Sequence, residues 1–355
     1  MDSTNFTVVL TGAAGNIGSI LLFMLANENI FGENKKINLR LIDLPETASK
    51  LKGLALELED CLFPFLQSVE VLLECSESFK DADCIILVAG KPRRLGMERR
   101  DLLEQNAQLF KKQAELCQGV LKPTTKVLVV ANPCNTNALV FSKFLPELNP
   151  SNITALSWLD QNRAKNFIAK KLKTDPARVK NVAVFGNHSN TMFVDLSKAY
   201  IDSQAVLDHS LSTRSTDHDS RTTKLRPYLS DDYVNVELQE LIRKRGGEII
   251  QAKGNSSAYS AAKAIVDHLK AWYSGSNDEI VSMAVIVDKV MDHNESLCVS
   301  LPVICRDQTF QVIDNLLEGV DEISKAAMQE SVEELVIEKM IAFEFFTEKP
   351  HHKNK

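Results

Sequence analysis

Residues 6–18 read Phe6-Thr7-Val8-Val9-Leu10-Thr11-Gly12-Ala13-Ala14-Gly15-Asn16-Ile17-Gly18. A strand-like apolar run opens directly into glycines and then into an amphipathic stretch, Ile17–Ala26. Strand, glycine turn and helix in that succession are the context a dinucleotide-binding fingerprint requires. Gly12 can make the tight turn, Gly15 leaves room for the backbone to approach a pyrophosphate, and Gly18 lets the helix pack closely on the strand. The first helical turn, with Asn16 and Ile17, offers free N–H groups and a positive dipole end to phosphates. The spacing is GxxGxxG rather than GxGxxG, and a turn with no ligand is the competing reading. Asp43 ends the next strand pattern, Leu39–Asp43. A carboxylate there can accept both hydroxyls of an adenosine ribose and repel a 2′-phosphate, which favours NAD over NADP; a turn or helix cap is the alternative.

Working outward, apolar runs at Phe6–Thr11, Ile37–Ile42, Val69–Leu73, Cys84–Ala89 and Val127–Ala131 alternate with amphipathic stretches at Ile17–Ala26, Ala48–Cys61 and Arg100–Leu121. Near-continuous apolar runs are expected of parallel strands covered on both faces. The alternation predicts an α/β fold with an N-terminal doubly wound parallel sheet of Rossmann type. Another apolar run, Ile153–Leu159, ends this half. Beyond it come a helix at Gln161–Leu172, a strand at Val182–Phe185, a polar stretch at 204–230, helices at 231–245 and 256–272, strands at 280–287 and 297–304, and a closing helix near 321–347. That pattern predicts a C-terminal α+β substrate domain. The expected division is a nucleotide domain at 1–155, a catalytic domain at 156–348 and a disordered tail at 349–355.

Composition narrows the function. The chain has 355 residues, 44% of them apolar and 25% charged, with a net charge of −6. A mildly acidic chain has no overall field for nucleic acid or an anionic membrane. No apolar run approaches the roughly 20 residues that span a bilayer. Neither a secretory nor an organellar leader pattern opens the sequence, so a cytoplasmic location is expected. The cysteines number 7, widely spaced and without a CxxC pair, and read as reduced buried thiols. His209, Asp217, His218 and Asp219 lack metal-ligand spacing and read as a solvated loop, so no metal is expected.

Four segments carry candidate chemistry. Gly90-Lys91-Pro92-Arg93-Arg94-Leu95-Gly96-Met97-Glu98-Arg99-Arg100 follows a strand, where open α/β sheets bind ligands. Arginine matches a carboxylate with two parallel hydrogen bonds, so this cluster suits a dicarboxylate; a solvated surface loop is the alternative. Pro92 and Gly96 mark a segment that can move as a lid. In Ala131-Asn132-Pro133-Cys134-Asn135-Thr136-Asn137, Asn132 can donate to a substrate oxygen, and Asn-Pro is a turn signal whose peptide bond is a candidate for the cis form. In Trp158-Leu159-Asp160-Gln161-Asn162-Arg163, Asp160 and Arg163 share a helix face. In Phe185-Gly186-Asn187-His188-Ser189-Asn190, His188 stands at a strand end. A neutral histidine removes the proton of an alcohol being oxidised, a carboxylate fixes its tautomer, and arginines bind carboxylate and polarise carbonyl.

With TGAAGNIG, LIDL, AGKPRRLGMERRDLL, ANPCNTN, WLDQNRAK and FGNHSNT in one order, and with NSSAYSAAKAIVD and IEKMIAFEFF after them, the sequence resembles the NAD-dependent malate dehydrogenases of the lactate/malate dehydrogenase superfamily, in particular the cytosolic eukaryotic type. The resemblance implies reversible hydride transfer between (S)-malate and NAD. It implies His188 as proton carrier with Asp160 as partner, Arg163 on the C1 carboxylate, Arg99 on the C2 oxygen and Arg93 on the second carboxylate. Asn132 would bond substrate and nicotinamide ribose, and Ser257 would line the substrate end. Ala89, Gly90 and Asn106 join Gly12, Gly15, Asn16, Ile17, Gly18, Asp43 and Asn132 as implied cofactor contacts. A homodimer is implied too. Gln161 stands where a histidine is usual, and Lys91, Leu95, Met192 and Val194 also depart from the pattern, so substrate range is the property they bear on. The alternatives are a relative reducing other 2-oxo acids and a non-catalytic NAD-binding relative.

Overall fold

A computed structural model describes residues 6–32, 35–91, 98–202, 222–315 and 317–347, with Arg99 and Thr222 given by backbone alone. In chain order the elements are β1 (Phe6–Thr11), α1 (Asn16–Asn27), β2 (Ile37–Ile42), α2 (Ala48–Asp60), β3 (Leu66–Leu72), α3 (Ser76–Phe79), β4 (Cys84–Leu87), α4 (Arg99–Cys117), β5 (Lys126–Val129), α5 (Cys134–Lys143), β6 (Ile153–Ala155) and α6 (Trp158–Leu172). There follow β7 (Val179–Lys180), β8 (Ala183–Phe185), β9 (Phe193–Asp195), β10 (Tyr200–Asp202), β11 (Thr222–Lys224), α7 (Leu238–Lys253), α8 (Tyr259–Ser274), β12 (Val281–Val287), β13 (Leu297–Arg306), β14 (Thr309–Val312) and α9 (Glu322–Thr347).

A nine-stranded sheet, in the order β14-β13-β12-β6-β5-β4-β1-β2-β3, carries the fold. Strands β1 to β6 pair in parallel, Val8 standing beside Leu39 on one side and Cys84 on the other. The order reverses between β1 and β4, and the crevice at their carboxyl ends is where such sheets receive ligands. Alternate residues of β1 serve opposite faces. Val8 and Leu10 pack with Leu21, Leu25, Ile265 and Leu269, while Val9 packs with Ile85, Phe110 and Phe141. Burial on both faces explains the unbroken apolar runs of β1, β4 and β5.

Three expectations are corrected. Edge strand β3 is not covered on both faces, and Val71 is 37% exposed. The apolar run 153–159 divides into three residues of β6 and the start of α6, because a short apolar run does not by itself distinguish strand from buried helix. Cys61 and Cys75 are exposed, while the other cysteines are buried and all are free.

The second half also extends the first half's sheet. β12 joins β6 antiparallel, with Ala284 opposite Ala155, and so covers what would be an open edge. β8 and β9 form a two-stranded ribbon, bridged to β13 where Gly186 and Ser300 exchange backbone bonds of 3.0 and 2.9 Å. A third core of Ile168, Val184, Val194, Ile201 and Leu238 fills this region.

His268 on α8 is wholly buried near Trp158 and Trp272, with ring centroids 6.0 and 5.9 Å away. Its Nε2 lies 3.0 Å from Thr154 Oγ1, and its Nδ1 has no partner. Burial lowers its pKa to about 3, so the folded chain keeps it neutral while the unfolded chain protonates it near 6.5. Folding stability contributed by this group is therefore lost as pH falls through the window from 6.5 toward 3, by about 1.4 kcal/mol per pH unit. Urea unfolding of the wild type and His268→Leu between pH 7 and 4 checks this. The variant is expected to lose less stability per pH unit than the wild type, and equal slopes would refute it.

Candidate active site

The nucleotide end is built from strand termini. Gly12 turns the chain out of β1 with φ of +69°, and a Cβ there would lie 2.7 Å from the backbone nitrogen of Ala89. A Cβ on Gly18 would lie 2.2 Å from the carbonyl oxygen of Gly12, so only glycine lets α1 pack this closely on the turn. Gly15 and Asn16 are exposed at the start of α1, where the first helical N–H groups have no carbonyl one turn back. Asp43 faces this turn. Its Oδ2 accepts from the Ala14 N–H at 2.8 Å and its Oδ1 from the Leu44 N–H at 2.8 Å. Each oxygen keeps a further lone pair, so the turn role and a ribose role are compatible. Gly90 packs against Ala131, where a Cβ would lie 2.7 Å from the alanine Cβ. Asn106 is buried beneath this point. It accepts from the Lys91 N–H at 2.8 Å and donates to the carbonyls of Lys91 and Leu102 at 3.2 and 3.1 Å, so its amide oxygen and one N–H bond hold the loop stem at Lys91 while the other bond returns to its own helix.

The reactive end lies in a cavity of about 310 Å³ lined by Asn132, Asp160, Arg163, His188 and Ser257 among others, with Ile17 from the nucleotide end. Asp160 sits in the first turn of α6 with its side chain 3% exposed. Its Oδ2 is 2.5 Å from His188 Nδ1, and its Oδ1 accepts from Arg163 Nη1 at 3.2 Å. Arg163 Nη2 donates to Ser257 Oγ at 3.2 Å. The Asp160 carboxylate pulls the His188 pKa up against the opposing effect of burial. Burial alone would raise the pKa of Asp160, but His188 and Arg163 outweigh it and hold the carboxyl below its ordinary value. His188 Nε2 is the ring nitrogen left for a ligand.

The position of His188 is fixed from behind. Asn135 Oδ1 accepts from the His188 N–H at 3.1 Å, while Asn135 Nδ2 donates to the carbonyls of Gly186 and Cys298 at 3.3 and 2.9 Å. Gly186, with φ of +93°, turns the chain past Ser331, whose Oγ accepts from the Asn187 N–H at 2.8 Å. Glu334 on α9 gathers the next residues, accepting from Asn187 Nδ2 at 2.9 Å, Thr191 Oγ1 at 2.6 Å and Ser189 Oγ. Sequence reading missed these positioning residues. Asn135 stood inside a motif already singled out, whereas nothing local ties Ser331 or Glu334 to His188.

Asn132 is exposed, beside the cis bond to Pro133. Gln161 is buried and accepts from the Ser282 N–H at 2.6 Å, which makes its departure from the expected histidine a matter of sheet attachment. Met192 lines the cavity, but Val194 is in the third core. Arg93, Leu95, the side chain of Arg99, the 203–221 stretch and the tail lie outside the described residues. Among the described residues no cluster suited to a metal ion occurs.

Models of the NAD-binding domain and the α/β C-terminal domain of lactate/malate dehydrogenases match residues 6–154 and 157–346. The chain belongs to the lactate/malate dehydrogenase family. It is 38% identical over 344 residues to the cytoplasmic malate dehydrogenase of Echinococcus granulosus, covering 96% of this chain and 98% of the relative. The crystal structure of Naegleria fowleri malate dehydrogenase superposes with a TM-score of 0.84 at 34% identity, covering 96% and 98%. Trichomonas vaginalis lactate dehydrogenase in complex with NADH and oxamate gives 0.85 at 32% identity, covering 96% and 99%. Among members of this family, then, relatives named for malate and for lactate are both close in shape, and the backbone alone does not separate them.

Removing the carboxylate beside His188 should lower the histidine's pKa. In Asp160→Asn the His188 ring signal, followed by NMR with labelled histidine and assigned through His188→Gln, is expected to titrate at lower pH than in the wild type. An unchanged midpoint would refute the coupling. A Gly18→Ala change should weaken NADH binding and destabilise the fold by about 1–3 kcal/mol, because the added methyl meets backbone that cannot yield; fluorescence titration and urea unfolding check it.

Proposed function

We propose that this chain is an NAD-dependent malate dehydrogenase of the cytoplasm, interconverting (S)-malate and oxaloacetate. The observation that carries the reading is the Asp160–His188 pair beside Arg163 in one cavity reaching Ile17 of the nucleotide turn. The glycine turn, the open start of α1 and Asp43 fit a dinucleotide, with Gly15, Asn16 and Ile17 toward its phosphates and Asp43 toward its ribose. Ala89, Gly90 and Asn132 lie at the adjoining strand ends, and Asn106 supports them through Lys91.

When bound, NAD supplies the hydride acceptor, and in reduced form the donor. The protein supplies orientation, charge and the proton site. Arg163 is poised to hold the C1 carboxylate through paired N–H groups. His188 Nε2 takes the hydroxyl proton of malate or returns it to the carbonyl oxygen of oxaloacetate. Asp160 keeps the other nitrogen in its donor tautomer and stabilises the imidazolium. The raised His188 pKa favours the protonated ring that oxaloacetate reduction needs. Reduction should therefore fall as pH rises through that pKa, and malate oxidation should rise over the same window.

Arg93 and Arg99, both from the charged segment after β4, are assigned to the second carboxylate and the C2 oxygen, and Ser257 and Asn132 to the remaining substrate edge. A homodimer belongs to the same reading, to be checked by sedimentation velocity.

The deciding experiment is NADH oxidation with oxaloacetate, pyruvate and phenylpyruvate side by side. Oxaloacetate should be turned over much faster than the other two, and equal rates would favour a broader 2-oxo acid reductase. His188→Gln should reduce kcat by about 10²–10⁴-fold while leaving NADH binding intact. Arg93→Gln should cost oxaloacetate turnover far more than pyruvate turnover, and an equal loss would remove Arg93 from the specificity role.

A further inference from the structure

The cavity holds a second guanidinium that neither the motifs nor the family roles account for. Arg243 lies on α7, which contributes Ile242, Arg243, Gly246 and Ile250 to the cavity wall. It is partly buried, and its Nε and Nη2 donate to the carbonyl oxygen of Met192 at 3.2 and 2.7 Å. That carbonyl closes the segment that begins at His188, and Met192 itself lines the cavity. Two of the guanidinium's N–H groups are used in this way, and the others remain available.

Among the described residues no carboxylate lies within ion-pair distance of Arg243. The acids that act on it from a distance are Glu240 and Glu330, and Glu240 is itself paired to Lys244 at 2.6 Å. Arg163, by contrast, is already paired to Asp160. Both arginines line this one cavity. A Cβ on Gly246 would lie 4.0 Å from Arg163 Nη2, and Arg243 stands one helical turn before Gly246 on the same face. A partly desolvated arginine with spare donors and no ion-paired carboxylate among the described residues, held by a carbonyl, is suited to a carboxylate.

We propose that Arg243 is a specificity-determining residue that binds the distal carboxylate of the diacid from the fixed wall of the cavity, in addition to whatever the charged segment after β4 supplies. The proposal rests on the diacid reading above. It assigns part of the discrimination between diacids and monoacids to a helix packed into the fold.

The test uses the full chain with saturating NADH and compares kcat and KM for oxaloacetate and for pyruvate, which lacks the distal carboxylate. Arg243→Gln should raise KM for oxaloacetate about ten-fold and lower the oxaloacetate-to-pyruvate ratio of kcat/KM to match, while kcat changes little. Arg243→Lys, which keeps charge but not the fork, should recover part of that ratio. A parallel loss on both substrates, with a lower unfolding temperature, would show that Arg243 only anchors Met192 and would overturn the proposal. A ratio unchanged in both variants would overturn it as well. If Arg243→Gln fails to fold, Arg243→Lys alone decides, because a pure anchoring role predicts no change in the ratio. A wild type with no preference for oxaloacetate over pyruvate would sink the diacid reading itself, and is told apart by needing no variant.

Discussion

A single buried carboxylate organises the reactive end of the molecule. Asp160 places one oxygen on His188 and the other on Arg163, so the group proposed to move the proton and the group proposed to grip a carboxylate share one anchor. Taking a carboxylate out of water is costly, and two cationic or protonatable partners offset that cost only with good geometry. The surroundings provide it: the first turn of α6 holds Asp160, Ser257 braces Arg163, and Asn135 holds the backbone of His188. Breaking such a cluster by removing one partner leaves an uncompensated buried charge, worth about 3–5 kcal/mol. Stability and the proposed chemistry therefore depend on the same atoms.

The opposite end of the crevice obeys a steric rather than an electrostatic constraint. Gly12 and Gly18 are packed so tightly on their own turn that side chains are excluded, which brings the start of α1 to the strand edge. Asp43 then ties the end of β2 to that turn through the Ala14 N–H. One carboxylate thus shapes the turn while retaining capacity for a sugar hydroxyl.

Much of this was legible in the sequence because its signals are local. The glycine turn after β1, the unbroken apolar runs of β1, β4 and β5, and the three-residue spacing of Asp160 and Arg163 each reflect geometry set within a few residues. The edge exposure of β3 was not legible, since it depends on where a strand falls in the sheet order. Nor was the junction of β6 with β12, which joins residues more than a hundred positions apart. Ser331 and Glu334 belong to the same class, reaching the histidine segment from the closing helix. Arg243 was hidden for a different reason: on a charged, exposed-looking helical stretch, only the packing of α7 reveals that one of its arginines faces inward.

The continuity of the sheet across β6 and β12 has a mechanical consequence. Through the Gly186–Ser300 bridge, the histidine's strand is fastened to the same sheet whose other strands bear the nucleotide turn. His188 and the nucleotide turn are therefore mounted on one anvil, not on two jaws. Parting those two supports would require breaking the sheet's own hydrogen bonds, so their spacing is set when the chain folds.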